Sequence, residues 1–144
     1  MELNYKQFGQ GEPIIILHGL FGTLDNWQTI AKQLAKNYMV FIIDQRNHGK
    51  SPHSDEFSYK IMADDLKHFM DTHYMYEATI IGHSMGGKVA MRFALDYPDM
   101  VEKLVIVDIA PKAYKGGHQT IFEAMFELDL EVMTDRKTID KALK

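Results

Sequence analysis

Hydrophobic positions in this chain follow two alternating rhythms. Ile14 to Leu17 (IIIL), Met39 to Ile43 (MVFII), Ala78 to Ile81 (ATII) and Lys103 to Val107 (KLVIV) are short, β-branched apolar runs. They lack the polar position at every second residue that a half-exposed strand shows, so they read as strands buried on both faces, as in a parallel sheet. Between them the apolar residues recur at helical spacing. Asp25 is placed to cap a helix carrying Trp27, Ile30, Ala31 and Leu34; Ser58 opens another with Ile61, Leu66 and Phe69; a third runs from Met85 to Tyr97. The alternation predicts β-α-β-α-β-α-β, a doubly wound α/β arrangement with helices on both faces of a mostly parallel sheet.

After Pro111 the rhythm changes and no further strand is predicted. Ile121, Phe122, Met125, Phe126 and Leu128 suggest one amphipathic helix, and Ile139 with Leu143 the start of another. We therefore divide the chain into residues 1–110 and 111–144. LVIVDI would be an uncovered outer strand, with unpaired backbone groups and Val and Ile beside water, which is an aggregation hazard. The expectation is that a remaining C-terminal part of the same protein follows Lys144.

Composition narrows the function. A net charge of −4 over 144 residues, with scattered Lys and Arg, gives no electrostatic footprint for nucleic acid or an anionic membrane. No apolar run approaches the roughly 20 residues that span a bilayer, and MELNYKQFG lacks the basic and apolar regions of a secretory leader, so a cytoplasmic protein without membrane insertion is expected. The absence of cysteine excludes disulfides and thiolate chemistry.

The chemistry concentrates in IIGHSMGGKV, Ile80 to Val89. As G-x-S-x-G it is a tight strand-to-helix bend presenting Ser84; as G-x-x-x-x-G-K it nearly cradles a phosphate. Residue identity separates the two. Val89 stands where a phosphate cradle needs a hydroxyl for magnesium, although LVIVD does end in an Asp of the kind that assists such a metal. The nucleophile reading explains more. Small residues two before and two after the serine, Gly82 and Gly86, let strand and helix approach, and the Met85 N–H at a helix start faces a developing oxyanion. His18-Gly19-Leu20-Phe21-Gly22, after the first buried run, offers a second donor, the Leu20 N–H. Taken alone, HGLFG could equally be a strand-end turn.

HGLFG, DQRNHGKS (Asp44 to Ser51), GHSMGGKVA and VDIAP (Val107 to Pro111) together resemble the α/β-hydrolase superfamily, and within it the small YbfF-type bacterial esterases. The resemblance implies a Ser-His-Asp hydrolase acting on small-molecule carboxylic esters or acyl thioesters, with no cofactor and no metal. It implies Asp108 as the triad acid, at the end of the strand KLVIV. It implies that residues 111–144 begin a helical lid, with Phe122, Met125 and Phe126, together with Phe21, as candidate substrate contacts; burial against the core is the competing reading for the lid residues. Dehalogenases and epoxide hydrolases of this fold use an Asp nucleophile, which Ser84 disfavours. The alternatives that stay open are a non-catalytic ligand-binding relative, an inactive fragment of the fold and, more remotely, a P-loop-like nucleotide-binding protein.

No histidine among the seven present convinces as the base. His83 adjoins the nucleophile, but an elbow sends consecutive side chains apart, so it is expected to pack beneath the turn. His18 belongs to the oxyanion loop, and His48 to a loop whose Asp44 and Arg46 fix shape. His53, His68 and His73 read as surface residues, and His118 is an outside candidate. The chain order Ser, acid, His of the resembled enzymes implies a catalytic His beyond Lys144, and this segment alone is then expected to be inactive. Asn47 and Lys88 read as structural or solvent-facing.

Overall fold

The computed structural model describes residues 1–114, and everything below concerns the compact unit Met1–Pro111. Its five strands are β1 (Tyr5–Phe8), β2 (Pro13–Leu17), β3 (Met39–Ile43), β4 (Ala78–His83) and β5 (Val101–Val107), ordered β1-β3-β2-β4-β5. Three α-helices connect them: α1 (Gln28–Leu34), α2 (Tyr59–Thr72) and α3 (Met85–Asp96). β3, β2, β4 and β5 are parallel, as the apolar runs predict, with Ile15 opposite Phe41 on one side and Ile80 on the other.

Period-two alternation explains how the central strands bury both faces. Ile15, Leu17, Phe41 and Ile43 meet the α2 and α3 side chains Met62, Leu66, Phe69, Val89 and Phe93, whereas Ile14, Ile16, Val40 and Ile42 meet Leu24 and Ala31 on the opposite face. β2 to β3 runs one way along the sheet and β4 to β5 the other, so the winding reverses at β2 and β4. The loops leaving the C-terminal ends of those two strands are where an α/β sheet opens a crevice.

The structure corrects four readings. β1 is an unanticipated strand: YKQF lacks an apolar alternation, and it pairs antiparallel to β3, with Tyr5 opposite Ile43. The first helix is capped by Thr23, not Asp25. The Thr23 hydroxyl accepts from the Asp25 N–H and Asn26 Oδ1 accepts from the Thr23 N–H, a reciprocal box that opens a 3-10 turn, Leu24–Trp27, before α1. β5 is not buried on both faces: among the described residues it pairs with β4 alone, and Leu104 and Val105 are 39% and 43% exposed, the uncovered outer strand expected above. His73 is no free surface residue; its Nδ1–H bonds the Phe69 carbonyl and its ring stacks on Phe69.

Ser58 caps α2 as expected, accepting from the Ile61 N–H. The loop after β3 is built around buried Asp44, whose carboxylate accepts from the Leu24 and Lys50 N–H groups and from Asn4 Nδ2. Arg46 pairs bidentately with Asp65, both buried. Asp44 and Arg46 thus fix loop shape. Among the described residues no helix is long and apolar enough to cross a membrane.

Candidate active site

Ser84 sits between β4 and α3 with φ 49° and ψ −113°, a backbone conformation that L-residues rarely adopt. Such a residue stores about 1–3 kcal/mol and persists only where its surroundings over-determine it. They do so here through missing side chains. A Cβ on Gly82 would lie 2.4 Å from the Gly86 carbonyl oxygen, and one on Gly86 would lie 2.4 Å from the Leu17 carbonyl oxygen. Strand, helix and the neighbouring strand β2 therefore touch backbone to backbone. The Ser84 N–H donates to the Val107 carbonyl at 3.0 Å and the Lys88 N–H to the Ser84 carbonyl at 3.1 Å. Met85 begins α3, so its N–H has no partner within the helix.

The loop after β2 reaches the same place. Gly19 packs so tightly on the elbow that a Cβ there would fall 3.3 Å from Ser84 Cβ and 2.9 Å from His83 Nδ1. Its carbonyl accepts two bonds, from the Gly22 N–H at 3.0 Å and from His18 Nδ1 at 2.8 Å. A carbonyl only accepts, so His18 carries its proton on Nδ1; its Nε2 takes the Gln45 N–H at 3.1 Å. The ring is neutral and buried, and burial holds its pKa below the ordinary 6.5. The Gly19 carbonyl and the Leu20 N–H share one trans peptide, so drawing the oxygen toward His18 turns the N–H the opposite way. Among the described residues that Leu20 N–H has no partner.

A cleft of about 550 Å³ opens beside the elbow, walled by Leu20, Phe21, Asn26, Trp27, His83 and Val107 among others. Ser84 is not in that wall but adjoins it through Gly19 and His83. Asp108 directly follows β5, with φ 54° and an 86% exposed side chain. Its Oδ2 lies 3.8 Å from His83 Nε2, beyond hydrogen-bond length. His83 therefore does not pack beneath the turn: it is half-exposed, on the cleft wall, facing Asp108 and Trp27. Among the described residues nothing hydrogen-bonds the Ser84 hydroxyl. Phe122, Met125, Phe126 and His118 lie outside the described residues.

Three wall residues escaped the sequence reading. Trp27 was legible only as a helix-face apolar residue, because the 3-10 turn that swings it to the cleft depends on the Thr23–Asn26 box; that turn also carries Asn26. The side-chain divergence expected at an elbow places His83 beneath the turn, whereas the structure sets it on the cleft wall. The phosphate reading loses its geometry: Lys88 Nζ donates to the Ala110 carbonyl at 2.9 Å, Val89 is buried, and the Ile109 side chain fills the space over Gly87.

Comparison with known proteins agrees with this geometry. Residues 12–137 match the family described as alpha/beta hydrolase fold. The chain is 41% identical to an sn-1-specific diacylglycerol lipase, ABHD11, of Danio rerio, over all of this chain and 49% of that protein. It is 43% identical to esterase YbfF of Escherichia coli, over 87% of this chain and 52% of the other. A solved structure titled marine microorganism esterase superposes with a TM-score of 0.93 at 46% identity, covering 99% of this chain and 57% of that one. The chain thus spans about half the length of the curated relatives it matches.

Proposed function

The chain belongs to the alpha/beta hydrolase fold family, and from that premise we propose that it is the elbow-bearing part of a serine hydrolase that cleaves carboxylic esters, and acyl thioesters with them, through an acyl-enzyme. The observation that carries this reading is the Ser84 backbone, φ 49° and ψ −113°, with the Gly19 loop packed against it. An arrangement that strained serves little besides lifting a hydroxyl out of the sheet.

In the proposed reaction a histidine from outside the described residues takes the Ser84 proton as Oγ attacks the acyl carbon. The carbonyl oxygen gains the electron pair and is held by the Leu20 and Met85 N–H groups, each such donor contributing on the order of 3 kcal/mol. Collapse of the tetrahedral adduct returns that pair to the carbonyl and expels the alcohol or thiol, protonated by the histidine. Water, deprotonated by the same imidazole, then releases the acid. Asp108 orients that imidazole and stabilises its cationic form. Residues 111–144 begin a lid in this reading, with Phe122, Met125 and Phe126 as its candidate substrate contacts, and Phe21 and Trp27 on the cleft wall are candidates to meet the acyl chain. The printed activities of the relatives, esterase and diacylglycerol lipase, support an ester bond as the target.

The test is a p-nitrophenyl ester series on the full-length protein and its Ser84→Ala variant. Replacement is expected to lower kcat by about a millionfold, and an organophosphonate should leave its adduct on Ser84. Equal hydrolysis by both proteins, or an adduct elsewhere, overturns the assignment.

A further inference from the structure

Phe21 raises a question that the triad does not answer. It is an aromatic residue at φ 59°, the left-handed region that favours glycine, it is half-exposed on the cleft rim, and it immediately follows the proposed donor Leu20. Its N–H donates to His48 Nε2 at 3.3 Å, across 27 residues of sequence. The other ring nitrogen, Nδ1, lies 2.9 Å from the Arg46 carbonyl. Because that carbonyl can only accept, Nδ1 carries the proton and Nε2 presents its bare lone pair to Phe21.

The imidazole stands on a fixed base. Arg46 is buried and held by two bonds to Asp65, at 2.5 and 3.0 Å. Asn47, itself at φ 63°, exchanges bonds with Ser54 in both directions, at 2.9 and 2.7 Å. The His48 ring also packs on the His18 ring, centroids 5.0 Å apart. The two peptides flanking Leu20 are therefore each tied to an imidazole. The Gly19–Leu20 peptide is held through its carbonyl by His18, and the Leu20–Phe21 peptide through its N–H by His48.

We propose that His48 is a positioning residue for acyl transfer: as the Nδ1–H tautomer it accepts the Phe21 N–H and so holds the Leu20 N–H in the direction an oxyanion needs. It rests on the serine-hydrolase reading of the cleft, and it assigns to the DQRNHGKS loop a part in the reaction beyond holding its own shape. His48 touches neither the substrate nor Ser84. In this role it works through one backbone hydrogen bond, and it acts on the transition state, where charge gathers on the carbonyl oxygen, more than on ground-state binding.

Two replacements in the full-length protein separate this role from packing. His48→Phe keeps a ring but removes the acceptor; His48→Gln returns an amide oxygen at similar reach. The expected result is a kcat lower by about tenfold to a hundredfold in His48→Phe, with KM within about twofold, and recovery of most of the loss in His48→Gln. Amide exchange at Phe21 should quicken in His48→Phe and slow again in His48→Gln. A His48→Phe enzyme with unchanged kcat, or with unchanged Phe21 exchange, overturns the proposal. Nitrogen NMR of the unmodified protein supplies a test that needs no variant and no activity: Nδ1 protonated and Nε2 bare is expected, and the opposite tautomer refutes the role even if Ser84 proves to be the nucleophile. If Ser84→Ala hydrolyses esters as fast as the unmodified protein, the hydrolase reading fails, and the tautomer result still reports on the loop.

Discussion

The elbow at Ser84 and the loop from His18 to Gly22 touch through Gly19, and each contains a non-glycine residue at positive φ, Ser84 at 49° and Phe21 at 59°. They are held in opposite ways. The elbow is fixed by backbone against backbone, where Gly82 and Gly86 leave no room for a methyl group. The loop is fixed by side chains: His18 on the Gly19 carbonyl, His48 on the Phe21 N–H, and Gln45 Nε2 on the His18 carbonyl at 2.6 Å. In the proposed reaction the nucleophile must not drift, and close-packed backbone holds Ser84 in place. An oxyanion donor must be aimed, and a hydrogen bond aims a peptide plane more directly than packing does.

After Ser84→Ala, the largest effect should come from Asp108, at the end of β5 beside the elbow, with no loss of fold. Asp108→Asn in the full-length protein is expected to lower kcat by about ten-thousandfold and to leave the melting temperature within a few degrees. Asn adopts the φ 54° backbone as readily as Asp, so only the charge is removed. A rate within tenfold of the parent would move the acid elsewhere.

Paired glycine replacements probe the two kinds of support directly. Gly86→Ala puts a methyl group 2.4 Å from the Leu17 oxygen and 2.6 Å from the His18 oxygen, and should cost about 3 kcal/mol of stability in urea unfolding, or abolish folding. Gly22→Ala meets the Gly19 oxygen at 3.0 Å and the movable Asn26 amide at 3.1 Å, and should cost about 1 kcal/mol. Equal costs would remove the distinction drawn between the two regions.

The smallest effect is electrostatic and belongs to the loop. Burial lowers the His18 pKa below 6.5, so the unfolded chain takes up a proton before the native one does. This contribution is fully present above pH 6.5 and is lost as pH falls from there through the lower native value, at no more than about 1.4 kcal/mol per pH unit. Proton NMR should find His18 still neutral at pH 6.5, where a free imidazole is half charged. A His18 that titrates at 6.5 or above would contradict the buried acceptor role.

Much of the elbow was legible because its cause is local. Gly82, Gly86 and Ser84 lie within five consecutive positions, and what they encode is the absence of side chains, which a sequence displays directly. The both-face burial of β2 and β3 was legible for a similar reason, since their runs contain no polar residue. β1 was not, because YKQF becomes a strand only by borrowing the exposed edge of β3. The support of the loop from His18 to Gly22 was equally hidden. His48 and Gln45 carry no periodicity or spacing that relates them to Gly19, and a histidine in a polar loop looks alike whether it faces solvent or a backbone N–H.

The sequence alone therefore determined the alternation of strand and helix, the strained serine and the family, since each follows from residues adjacent in the chain or recurring at a fixed period. Only the tertiary structure decided which peptide plane each imidazole holds, that His83 faces Asp108 on the cleft wall, and that Trp27 turns toward the cleft. The bonds that join the two rings to distant loops, Gln45 to His18 and Phe21 to His48, span 27 residues, and His83 and Asp108 lie 25 positions apart. They arise when β2, β3, β4 and β5 align their C-terminal ends, and a directional bond of about 3 Å between such distant groups leaves no trace in the order of the residues.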